Sequence, residues 1–311
     1  MFSFIHAADI HLDSPLRGLE LPDDAPLDQV RGATRRALDN LVDLAIQEQV
    51  AFVLLAGDIY DGDWKDFNTG LFFNQCMMRL KEADIKVFVV SGNHDATSQI
   101  SKSLPLPENI FTFSTRKPET HTLENIAVAI HGQSFASQSV TDDLSSHYPQ
   151  ADSKYFNIGL LHTALTGREG HESYAPCTID GLKGKGYQYW ALGHVHNREV
   201  VHQNPWIVFP GNIQGRHIRE TGAKGCTLVT VEGQEVTKVQ HVNLDVLRWF
   251  LCLVDLSGCQ NMGEVYERTQ TELEKALAEG DNRPVITRLE LSGTTAVHQQ
   301  IQARAAYLTE E

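Results

Sequence analysis

Short apolar runs rich in β-branched and aromatic residues recur at 2–8, 51–56, 86–90, 126–130, 156–161, 187–192, 206–209 and 226–231. Each is bounded by turn or polar residues, the signature of a buried strand. Between the early runs the period becomes helical. Val30, Thr34, Ala37, Leu41 and Leu44 form one apolar stripe, and a second helix is predicted over 66–82. The alternation β-α-β-α-β predicts an α/β layered core, and the later strands, with fewer helices between them, predict a second, partly antiparallel sheet.

Beyond about 244 the character changes. Residues 248–256 read as a strand, and a helix with Tyr266, Gln270, Leu273 and Leu277 on one face runs to Gly280. A further strand is predicted over 284–291, and Val297, Ile301, Ala305 and Leu308 begin another helix. This second β-α-β-α stretch predicts a separate, smaller unit over 246–311, following a domain over 1–245. It stops in mid-pattern, so the natural protein is expected to continue.

The 311 residues carry 40 acidic and 26 basic side chains, a formal charge of −14, which argues against a broad basic surface for nucleic acid. A phosphate substrate would need a local attractor, which bound metal ions can supply. Five scattered cysteines without a C-x-x-C fit a reduced, cytoplasmic chain better than a disulfide framework. No apolar run is long enough to span a bilayer, and the first residues read as a strand, not a signal peptide.

The chemistry lies at the ends of the predicted strands. Asp9 and His11 follow the first, Asp58 the second, Asn93 and His94 the third; His162 follows a later one, and His194 and His196 another. Five strands thus present Asp, Asn or His at their C-terminal ends, where open α/β sheets place ligands. Gly57, Gly92 and Gly193 precede the polar residues and permit sharp exits. Two carboxylates, imidazoles and an amide oxygen, with no thiolate, form a mixed N/O set suited to Mn²⁺, Fe²⁺ or Zn²⁺. Seven donors exceed the needs of one ion and suit two, with one carboxylate shared. Each histidine alone would more readily be structural; the ordered set carries the reading. His171 and His217 fall in loops that could border the site.

This ordered set, D-x-H, G-D, G-N-H-D, H and G-H-x-H, resembles the calcineurin-like metallophosphoesterases. The resemblance implies a four-layer α-β-β-α sandwich with a smaller, α+β capping domain. It implies one metal on Asp9, His11, His196 and a bridging Asp58, and another on Asp58, Asn93, His162 and His194. His94 would meet the substrate phosphate and protonate the leaving oxygen, oriented by Asp61. Longer stretches, at 4–16, 157–163, 174–178 and 189–196, look like the SbcD-type DNA repair exonuclease family, and 210–217 resembles its YhaO-like subgroup. The resemblance implies a Mn²⁺-dependent endonuclease and exonuclease acting on DNA ends, a homodimer, and a coiled-coil SMC-like ATPase partner. The position three after the bridging aspartate is Asp61, where archaeal and eukaryotic relatives carry histidine, so their end polarity does not transfer.

Arg216 and Arg219, with Lys224, read either as a solvated loop or as a phosphate-contacting rim; Arg31, Arg35 and Arg36 read as a solvated helix face. Two other functions compete: a small-molecule or nucleotide phosphodiesterase or phosphatase, which suits the acidic charge, and a non-catalytic scaffold, which the intact donor set disfavours.

Overall fold

The computed structural model describes residues 1–16, 30, 32–61, 66–97, 105–166 and 174–303. They form two compact units. The first takes Met1–Ser14, Ala33–Gln214 and Lys224–Asp245; the second takes Pro15–Gly32, Gly215–Ala223 and Val246–Glu311.

The first unit is built on two six-stranded sheets. One has the order β12-β11-β1-β2-β3-β4, comprising β1 (Phe2–Ala7), β2 (Phe52–Ala56), β3 (Lys86–Val90), β4 (Ile110–Thr112), β11 (Gly225–Glu232) and β12 (Glu235–Asn243). Its β1 to β4 are parallel, and β11 joins β1 antiparallel. The other has the order β5-β6-β7-β8-β10-β9, comprising β5 (Glu119–Leu123), β6 (Val128–Gly132), β7 (Phe156–His162), β8 (Tyr189–Gly193), β9 (Glu199–Gln203) and β10 (Trp206–Phe209). Its centre is parallel and its two edge strands antiparallel, as expected for a mixed second sheet.

Period-2 alternation sorts the side chains into layers. Phe4, Phe52, Phe88, Phe156 and Tyr189 fill the space between the sheets, with Phe4 and Phe52 paired in register and stacked at 5.0 Å. Their neighbours Ile5, Val53, Leu55 and Val87 face the other way, onto Leu38, Leu41 and Val42 of α1 (Ala33–Gln47) and Phe73, Met77 and Leu80 of α2 (Phe67–Glu82). Trp190, Leu192, Leu161 and Ile207 make a third apolar layer on the outer face of the second sheet, together with Leu182 of α4 (Ile179–Lys183). Each fully buried aromatic contributes about 1.5–3 kcal/mol. The architecture is the expected mixed α/β fold with two sheets flanked by helices.

Four edge strands had no counterpart in the apolar runs. The clearest is β12: Val236 and Val239 pack on the same core though three apart, because a register shift falls between them, while Val242 turns to the opposite layer, so simple alternation fails.

The second unit pairs β13 (Arg248–Asp255) and β14 (Val285–Ser292) in parallel, with α5 (Met262–Glu279) between them in sequence and α6 (His298–Ala303) after them. Asn261 caps α5 by accepting from the Glu264 amide, and Glu264 reaches back to the Gln260 amide. Gly280 stands at its C-cap, as expected. The helical positions beyond 303 lie outside the described residues. Among the described residues no helix is long and apolar enough to cross a membrane.

Candidate metal centre

The strand order turns the C-terminal ends of β1, β2 and β3 in one sheet, and of β7 and β8 in the other, to one rim. Asp9 and His11 leave β1, Asp58 leaves β2, and Asn93 and His94 open the short α3 (Asn93–Thr97) after β3. His162 is the last residue of β7, and His194 and His196 follow β8. The exits are strained. Asp9, His11, Asp58 and His194 all have positive φ, of 52°, 44°, 54° and 101°, a conformation that costs about 1–3 kcal/mol each and must be held by its surroundings. Backbone bonds do this: the Asp9 amide donates to Gly57 O, and the His11 amide to Asp58 O, each at 3.0 Å. Close approach sets the glycines. A Cβ on Gly193 would run into Ala56 O, and one on Gly57 into the His162 ring.

The side chains converge as three overlapping groups: Asp9–His11–His196, His11–Asp58–His94 and Asp58–His162–His194, with ligand atoms within 4.8 Å of one another in each. Asp58 belongs to two of them. His11 Nε2 faces His196 Nε2 at 3.3 Å, and His196 Nε2 lies 3.8 Å from Asp9 Oδ1. Asn93 Oδ1 is 3.0 Å and Asp58 Oδ2 3.5 Å from His162 Nε2.

The donor set fits a divalent cation. His162 is fully buried, which depresses its pKa to about 3, so the ring is neutral. Its Nδ1–H donates to Ala56 O at 2.8 Å, which leaves the Nε2 lone pair facing Asn93 Oδ1 and Asp58 Oδ2. Acceptors pointed at one another with no proton between them are what a metal cation resolves, and a carbonyl accepting from the far nitrogen is the usual way to orient an imidazole ligand.

His94 differs from the others. It is 37% exposed, its amide donates to Asp58 Oδ1 at 2.9 Å, and its Nδ1 lies 3.2 Å from Asp61 Oδ1. Asp61 also lies 3.4 Å from His11 Nδ1. Hydrogen bonds with His11, and then with His94, hold its carboxyl far below the usual carboxylate range.

Several supporting residues were read differently, or given no role, from the sequence. Asp95, quoted only as the last letter of G-N-H-D, is buried and accepts from the Gly92 and Tyr60 amides at 3.0 Å each, tying two donor loops together. Burial, with Asp58 nearby, pushes its carboxyl up to about 7. Lys224 is buried rather than solvated, and its Nζ donates to His196 O at 3.2 Å. Arg35 departs from a solvated helix face: it grips Asp13 with two hydrogen bonds and stacks over Phe72 at 5.0 Å. Arg31 and His171 lie outside the described residues. Arg216 and Arg219 fall in the second unit, where Arg216 pairs with the buried Glu220 and Arg219 is exposed. His217 faces the same Glu220 at 3.4 Å.

Comparison with known proteins shows the family. The calcineurin-like phosphoesterase family matches residues 2–198, and the middle domain of metallophosphoesterase YhaO matches 249–311. The chain belongs to the calcineurin-like phosphoesterase family and is a hydrolase of phosphate esters. It is 36% identical over 296 residues to the metallophosphoesterase YhaO of Bacillus subtilis (strain 168), covering 94% of this chain and 72% of that one. It is 26% identical over 288 residues to the DNA double-strand break repair protein Mre11 of Sulfurisphaera tokodaii, covering 87% and 70%. A dimetal phosphatase from Danio rerio superposes with a TM-score of 0.44 at 12% identity, over 78% of this chain and 97% of that one.

Proposed function

We propose that the chain is a metal-dependent DNA phosphodiesterase of the SbcD type, cutting at DNA ends as part of a repair complex. The observation that carries this is the sharing of Asp58 between two donor groups beside a half-exposed, Asp61-bound His94. Asp9, His11, His196 and Asp58 hold one divalent ion, and Asp58, Asn93, His162 and His194 the other, with Mn²⁺ the best match and Fe²⁺ or Zn²⁺ the alternatives. When bound, the ions supply Lewis acidity toward phosphoryl oxygens and a lowered pKa for the attacking water. The chain's own contribution is proton delivery. With Nδ1 held by Asp61, His94 keeps Nε2 for the substrate, and the anionic Asp61 favours the protonated ring that an acid requires.

The likeness to Mre11 supports DNA as substrate and a coiled-coil SMC-like ATPase as partner. A homodimer is supported by Phe67, Leu71 and Met78, exposed along one stripe of α2. Five free, buried cysteines support a cytoplasmic location. Arg216 and Arg219 are proposed as phosphate-contacting residues; charge reversal at both that leaves DNA cleavage unchanged removes that role. The acidic charge favours the rival reading, a nucleotide or small-molecule phosphodiesterase.

The test is cleavage of end-labelled duplex DNA with Mn²⁺, with and without EDTA, beside bis-p-nitrophenyl phosphate and cyclic nucleotides. DNA cleavage abolished by EDTA, and lowered about a hundredfold or more by His94→Gln with metal binding retained, is expected. Turnover of the small esters without DNA cleavage selects the rival.

A further inference from the structure

Asp61 is held from both ends. Its Oδ1 lies 3.2 Å from His94 Nδ1 and 3.4 Å from His11 Nδ1, while Oδ2 accepts a hydrogen bond from Ser14 Oγ at 2.8 Å. The terminal torsion of an aspartate is broad and its two oxygens are equivalent, so nothing intrinsic to Asp61 decides the angle at which its carboxylate meets the histidines. The serine decides it.

Ser14 is itself fixed. It is 7% exposed, and its amide donates to His11 O at 2.9 Å. The preceding residue, Asp13, has φ of 61° and is pinned by two helices. Arg35 of α1 donates to its carboxylate from Nε at 2.7 Å and Nη2 at 2.5 Å, and Thr69 of α2 donates from Oγ1 at 2.5 Å. The Asp13 amide donates in turn to Thr34 Oγ1 at 3.0 Å. Two helices that carry no metal donor therefore place a serine hydroxyl on the carboxylate behind His94.

We infer that Ser14 is a positioning residue for protonation of the leaving group. By holding Oδ2 it keeps Oδ1 of Asp61 on His94 Nδ1, and so keeps the ring turned with Nε2–H toward the departing oxygen. This rests on the role proposed above for His94. In the step it serves, water adds to phosphorus and the P–O bond to the sugar breaks. The departing oxygen takes the Nε2 proton, and the proton lost by the attacking water returns to the ring through solvent.

The diagnostic is leaving-group dependence. p-Nitrophenolate departs without a proton, whereas a sugar alkoxide needs one. Ser14→Ala is expected to lower kcat on thymidylyl-thymidine about tenfold with KM unchanged, and to lower it less than about twofold on thymidine 5′-(p-nitrophenyl phosphate). Ser14→Thr, which keeps the hydroxyl, retains both rates. Mn²⁺ affinity without substrate, read by isothermal titration calorimetry, is unchanged. Should circular dichroism show Ser14→Ala unfolded, Ser14→Cys, similar in volume and a poor donor, is read by the same ratio. Equal losses on the two esters, no loss on the dinucleotide, or a parallel fall in Mn²⁺ affinity overturns the assignment. A wild-type chain inactive on both esters and on end-labelled duplex DNA with Mn²⁺ removes instead the phosphodiesterase reading beneath it.

Discussion

The two units of the chain bury very different amounts of apolar surface. In the first, Phe4, Phe52 and Phe156 are wholly buried between the sheets, and second layers cover the outer faces. In the second, the buried apolar cluster is small, Val254, Leu256, Cys259, Val265 and Val297, while Leu251, Leu253, Leu277 and Leu291 are exposed. The contrast teaches where strained chemistry can sit. Four positive-φ donors at about 1–3 kcal/mol each need a deep core to offset them, and the first unit has one. The second is suited to presenting surface rather than to holding a strained cluster.

Core truncation sharpens the contrast most. Phe52→Ala is expected to cost about 3–5 kcal/mol, read by urea unfolding of the first unit. Val265→Ala, in the second, is expected to cost about 1–3 kcal/mol, with faster hydrogen exchange across α5 and unchanged exchange across β2. Equal costs would break the comparison.

A smaller effect comes from His6, buried in β1, where Nε2–H donates to Leu192 O at 3.1 Å and Nδ1 accepts from Tyr189 at 3.0 Å. Burial depresses its pKa to about 3, against a carbonyl contact that acts the other way. As pH falls through about 6.5 the unfolded chain takes a proton that the folded one refuses until about 3. The unfolded state therefore binds more protons in that window, and stability is lost as pH drops through it. The loss is about 3 kcal/mol by pH 4.5, and His6→Gln should flatten that part of the melting-temperature profile.

The donors were legible in the sequence because each sits directly after an apolar run, so strand end and ligand type are read together. The supporting residues were not. Ser14, Arg35 and Lys224 are single polar residues whose roles depend on partners 47, 22 and 28 positions away. No local pattern separates Arg35 from a solvent-facing arginine on an amphipathic helix. The edge strands escaped for a related reason: half-exposed and polar, they are specified by pairing and, in β12, by a bulge that breaks alternation. Asp95 is the intermediate case, visible as a motif letter but intelligible only once its two amide donors are placed.

One rim of the first unit is proposed to bind a pair of divalent ions through Asp58. Anomalous diffraction from manganese-soaked crystals tests it most directly. Two peaks flanking the Asp58 carboxylate, one against His11 and His196 and the other against His162 and His194, are predicted, with Asp58→Asn losing at least one. A single peak remote from Asp58, or none at the rim, would contradict it.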